Sequence, residues 1–90
     1  PNRPEAETAK RAELGNILIA VAPNDRIWMN KAPIELEAVK IMMELAHAEN
    51  PESSVVIVAD ELASTGLVLD IMDQIRLSGI SKISLSAKEK

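Results

Sequence analysis

The sequence predicts an α+β fold: a two-layer α/β sandwich in the order β-β-α-β-α-β, with two helices packed on one face of a small mixed sheet. Three observations carry that expectation. Ile17-Leu18-Ile19-Ala20-Val21-Ala22 and Val55-Val56-Ile57-Val58-Ala59 are continuous apolar, β-branched runs of strand length. Two later segments change to a helical period, and Lys82-Ile83-Ser84-Leu85-Ser86 alternates strictly.

The 90 residues suffice for one domain, and 10 Ile, 9 Leu, 6 Val and 4 Met suffice for one core. Trp28 is the only aromatic residue, so the core must be aliphatic. The absence of cysteine excludes a disulfide framework, a thiolate metal site and a cysteine nucleophile. The longest apolar run has six residues, well short of the ~20 that cross a bilayer. The chain begins with Pro1 in place of Met, which reads as excision from something longer.

Taken in order, residues 1–16 hold two prolines, mixed charges and little apolar content beyond Leu14 and alanines, so a linker or flexible arm is expected there. The folded domain is expected over residues 17–90. Residues 17–22 are apolar on both faces, as a covered strand requires. Pro23-Asn24-Asp25 is turn chemistry, because Pro presets φ while Asn and Asp bond the local backbone. Residues 26–29 then read as a short return strand bearing Trp28, closed by Asn30-Lys31-Ala32-Pro33.

Residues 34–49 read as an amphipathic helix, with Glu37, Lys40, Glu44 and His47 as a polar stripe and Val39, Met42, Met43 and Ala46 opposite. Asn50-Pro51 stops it, since a residue before Pro avoids the helical region. Residues 55–59 read as an interior strand ended by Asp60-Glu61. Ser64-Thr65 offers an N-cap oxygen to a second helix carrying Leu67, Val68, Ile71, Met72 and Ile75, and Gly79 suits its left-handed C′ position. The final strand then has one buried and one wet face.

Few residues carry chemistry. His47 is the sole histidine, which excludes a two-histidine metal site, and its place on the polar stripe reads as solvated surface. Asp70 and Asp73 share a helix face, yet Gln74 and Arg76 stand at surface-pairing distance from them. Asp60 lies at the C-terminal end of a strand, where α/β folds place ligands, against the plainer reading of a strand-ending turn. Gly15, Gly66 and Gly79 are scattered and build no phosphate loop. Ser64 lacks a nucleophile elbow, and the four methionines read as core filler. The expectation is a non-enzyme with no catalytic residue, no metal and no cofactor.

The net charge of −4 falls entirely in residues 17–90, and no basic stripe exists to neutralise phosphates, so nucleic acid is an improbable partner. Anionic lipid headgroups are disfavoured for the same reason.

Longer motifs add a resemblance. Val58-Ala59-Asp60-Glu61, then Val68-Leu69-Asp70-Ile71-Met72-Asp73-Gln74-Ile75, then Ser78-Gly79-Ile80-Ser81-Lys82-Ile83-Ser84-Leu85 is similar to the "ADK", "V-x-x-V-M-D-x-L-x-x-A-G" and "K-I-G-L" segments of the ExbD/TolR family. The family's "L-x-V-x-x-D-x-x-I-x-x-N" is matched by Leu18-Ile19-Ala20-Val21, Asp25, Ile27 and Asn30. The resemblance spans about residues 17–86 and leans toward ExbD. Glu61 replaces the usual Lys, Thr65 a common Tyr, Ser78 an Ala and Ser84 a Gly. The change at Glu61 reverses a surface charge and puts in doubt any contact made by that lysine.

The resemblance implies the periplasmic domain of a proton-motive-force-driven motor subunit. Such a subunit sits in the inner membrane through one upstream helix bearing a functional Asp, and residues 1–16 would then be the linker. An ExbB-like channel and a TonB-like transducer are the implied partners, serving outer-membrane uptake of iron-siderophores and vitamin B12. The TolR alternative implies TolQ, TolA and peptidoglycan. Physically, a two-layer domain leaves a sheet face and strand edges bare. A homodimer or strand addition is therefore expected at Ile17, Leu18, Ile19, Val21, Asp60, Ile83, Ser84, Leu85 and Ser86. The competing readings are a stand-alone cytoplasmic ligand-binding α/β module and, more distantly, a hydrolase using Asp60.

Overall fold

The computed structural model describes residues 16–88. The elements are β1 (Asn16–Val21), β2 (Ile27–Met29), β3 (Ala32–Ile34), α1 (Leu36–Glu49), β4 (Ser54–Asp60), α2 (Thr65–Leu77) and β5 (Lys82–Lys88). Every expected element is present in the expected order, and the short strand β3 is added after β2. The arm expected over residues 1–16 lies, apart from Asn16, outside the described residues. Asn16 itself opens β1, and its Oδ1 accepts the Ser54 hydroxyl at 3.0 Å.

The five strands form one mixed sheet in the order β3-β2-β1-β4-β5. β1 pairs antiparallel with β2 and parallel with β4, and β4 pairs parallel with β5. Local turns explain the antiparallel end. The Asp25 N–H donates to the Ala22 carbonyl at 2.9 Å, with Asp25 at φ 66° closing the first hairpin. Asn30 and Lys31, at φ 49° and 75°, make the second. Two successive left-handed residues between Met29 and Ala32 form the primed turn that matches strand twist.

The core forms where the helices cover one sheet face. Ile17, Ile19, Val21, Val55 and Ile57 point toward Val39 and Met43 of α1 and Ile71 and Ile75 of α2. Fully burying side chains of this size contributes about 1.5–3 kcal/mol each. Helix ends are closed locally. The Ser53 hydroxyl donates to the Asn50 carbonyl at 2.7 Å and, more weakly, the Ala46 carbonyl at 3.2 Å. Gly79 takes φ 106° just past α2, as its C′ position predicts.

Three sequence expectations need correction. Ser64 stands at the N-cap of α2, but its side chain caps nothing in that helix. Its hydroxyl and its N–H both turn to the Asp25 carboxylate, at 2.9 and 2.8 Å, tying the first hairpin to α2. His47 is half-buried and not solvated surface. Its ring lies about 3.1 Å from where a Cβ on Gly79 would stand, and its Nδ1 is buried without a hydrogen-bond partner among the described residues. Met42 is 39% exposed, off the core side, because the buried arc of α1 centres on Val39 and Met43.

Candidate partner-binding surface

The sheet has a second face that neither helix covers. In the parallel ladders, residues at the same register share a face. Leu18, Val56 and Ser84 form one row across β1, β4 and β5, and Ala20, Val58 and Ser86 form the next. Trp28 stands opposite Ala20 on the same side. Leu18, Ala20, Trp28 and Val58 line a shallow hollow with Pro23 and Asp60 at its rim. Leu18 is 40% exposed, while Val56, Val58 and Trp28 are half-buried. Leu18, Val56, Val58 and Trp28 thus place partly exposed apolar surface on a sheet face that carries no helix, the kind of patch that marks a candidate interaction surface.

The two sheet edges differ. At one end β3 is three residues long and holds Pro33, which has no N–H to donate. At the other end β5 pairs only with β4 among the described residues, so the backbone groups on its outer side can accept another strand.

The nine residues expected to bind partners are not brought together. β1 lies between β2 and β4, so it offers no edge. Beyond the reach of β2, Asn30 closes β1: its Oδ1 accepts the Leu18 N–H at 3.0 Å, and its own N–H donates to the Leu18 carbonyl at 2.9 Å. Ile17, Ile19 and Val21 are core residues, which corrects their assignment to a pairing surface. Leu18 remains, on the open face. Ile83 is half-buried against the core, and Leu85 is 53% exposed beside the α2 side of the edge. Ser84 and Ser86 are exposed on the open face. Asp60 ends β4 and accepts the Leu62 N–H at 2.9 Å, the turn role weighed against a ligand role.

Sequence reasoning missed Trp28, Val56 and Val58 as surface. The signal was the unbroken apolar run 55–59, which demands cover on both faces although only two helices are available.

Electrostatics at the base of β5 are simple. Lys82 Nζ donates to Glu52 Oε1 at 2.8 Å, and this hydrogen bond, aided by the lysine's charge, holds the Glu52 carboxyl below the usual glutamate range. Among the described residues no cluster of three or more His, Asp or Glu side chains could hold a metal. None of the helices described is long and apolar enough to cross a membrane.

A family model described as "Biopolymer transport protein ExbD/TolR" matches residues 2–90. The chain belongs to the ExbD/TolR family. A relative from Vibrio cholerae serotype O1, "Biopolymer transport protein exbD2", is 32% identical over 88 residues, covering 98% of this chain and 66% of the relative. The chain thus spans about two thirds of the length of that ExbD/TolR relative. The family residues matched by Asp25, Ile27 and Asn30 have visible roles. Asp25 holds Ser64, Ile27 enters the core, and Asn30 closes β1.

Proposed function

We propose that this chain is the periplasmic domain of a proton-motive-force-driven motor subunit that works with an ExbB-like channel to energise a TonB-like transducer, driving outer-membrane uptake of iron-siderophores and vitamin B12. The observation that carries the reading is the family match across residues 2–90, and the relative named exbD2 favours ExbD over TolR. In this reading the whole protein is anchored in the inner membrane by an upstream helix, residues 1–16 form the linker to it, and residues 17–90 form the periplasmic domain. The domain acts by binding, as a homodimer and as acceptor of an extended transducer segment. The outer side of β5 supports this: β5 pairs only with β4 among the described residues and carries Ile83, Ser84, Leu85 and Ser86.

The decisive experiment is complementation. The full-length gene should restore siderophore-dependent growth to a strain lacking its ExbD. Restoration of detergent resistance to a TolR-deficient strain instead would replace the reading with the Tol envelope system, and failure in both would remove the motor role. On the purified domain, peptides from the periplasmic part of TonB should shift the amides of residues 83–86. Sedimentation that shows only monomer at high concentration would remove the dimer.

A further inference from the structure

Helix α1 is apolar on two sides. Val39 and Met43 cover the sheet, and beyond the stripe of Lys40, Glu44 and His47 the outward side presents Ile41 and Leu45, each 59% exposed, beside Met42. A surface helix ordinarily keeps that side polar, so a second apolar face calls for a second covering surface. The place for it is a groove between α1 and the β2–β3 hairpin. Two adjoining hollows there share Met29 and Met42 as walls, with Pro33, Ile34 and Ala38 at one end and Leu45 at the other. Glu35 lines the first end and Glu49 the second, and no basic side chain lines either hollow.

We infer that this groove docks an amphipathic helix of a partner protein, apolar along one face and carrying Lys or Arg near both ends. The inference is independent of the motor role and of the β5 edge. A strand is excluded as occupant because the neighbouring edge, β3, has only three residues and lacks a donor at Pro33. A helix fits, because α1 has 14 residues, and at 1.5 Å per residue the groove beside it is about 21 Å long, or four turns. Methionine walls adapt to such faces. The charge selects the partner: acidic side chains at both ends meet basic ones. A second copy of this chain laid antiparallel on the groove would set Glu35 against Glu49, and an anionic membrane would meet the same two carboxylates.

The test uses the 90-residue chain with its methionine methyls isotope-labelled, titrated with a 15-residue Ala/Leu helical peptide ended by Lys pairs and with the same peptide ended by Glu pairs. The Lys-ended peptide should shift the Met29 and Met42 methyls saturably and leave Met72 in place. The Glu-ended peptide should bind about tenfold more weakly. Met42→Gln with Leu45→Gln should weaken the Lys-ended peptide about tenfold. Glu35→Lys with Glu49→Lys, both exposed positions, should reverse the preference between the peptides. Equal binding of both peptides, shifts centred on Met72 or residues 83–86, or no saturation by about 1 mM would overturn the inference. So would methyl shifts that grow with protein concentration alone and vanish in Met42→Gln, since a second copy would then fill the groove.

Discussion

Asn30 supports a worked prediction, because one side chain there does two separable things. Its Oδ1 accepts the Leu18 N–H at 3.0 Å, and its backbone sits at φ 49°. Replacing it by Ala removes the acceptor and forces a Cβ-bearing residue without a local polar partner into the left-handed region. The lost bond costs about 1 kcal/mol, and the strained backbone about 1 kcal/mol more. Asn30→Ala should therefore lose about 2 kcal/mol in urea unfolding, or roughly 8–16 °C in Tm for a domain of this size. Asn30→Gly, which keeps the backbone freedom and loses only the bond, should lose about 1 kcal/mol. Asn30→Asp retains both the acceptor and the tolerance of positive φ, and should stay within about 0.5 kcal/mol. Amide exchange supplies a local readout, since the Leu18 N–H should exchange faster in the Ala and Gly variants and not in the Asp variant. An Asp variant as unstable as the Ala variant, or unchanged Leu18 exchange in Asn30→Ala, would refute the two-part account.

Other outcomes follow from neighbouring features. Lys31 at φ 75° should gain about 0.5–1 kcal/mol on replacement by Gly, seen as a higher urea midpoint at constant m-value. Gly79→Ala meets both a φ of 106° and the His47 ring at 3.1 Å, so it should lose at least about 2 kcal/mol, and adding His47→Ala should recover only the part due to the ring. Ile57→Ala, at a fully buried position of β4, should cost about 2–5 kcal/mol by thermal unfolding. The Glu52 carboxyl is held below its ordinary range by Lys82. The pair therefore adds stability above the unfolded glutamate range and loses it as pH falls through the lower folded value. Glu52→Gln should flatten that acid-side slope slightly in pH-dependent unfolding, and added salt should do the same to the parent chain.

The strands and helices were legible where composition and period agreed. Residues 55–59 could be nothing but a strand, and Gly79 marked the end of α2 because its φ of 106° is costly for any other residue. β3 was not legible, because its hairpin uses Asn30 and Lys31 at left-handed angles with no glycine to announce them, and Pro33 reads as a stop. The second apolar face of α1 was hidden by a wheel that placed Met42 with Met43, when a 100° step separates neighbours. The candidate partner surface was the least legible part. Whether Ile17 and Ile19 face solvent or core, and whether β1 is an edge, depend on strand order, which is set by long-range pairing between residues some 38 positions apart. The Asp25–Ser64 tie, spanning 39 positions, was invisible for the same reason.

The three parallel strands also set how the domain carries load. β1 enters the sheet at Asn16, level with Lys82, and β5 leaves at Lys88, level with Asp60 at the far end of β4. A pull applied between those two ends runs along the strands, so the hydrogen bonds joining β1 to β4 and β4 to β5 are strained together in shear, not peeled one after another. The antiparallel hairpins lie outside that line and bear little of the tension. In this geometry opening the parallel ladders by their ends requires several hydrogen bonds to break at once, so force along the strands meets more resistance than force that peels β3 and β2 away from the antiparallel end.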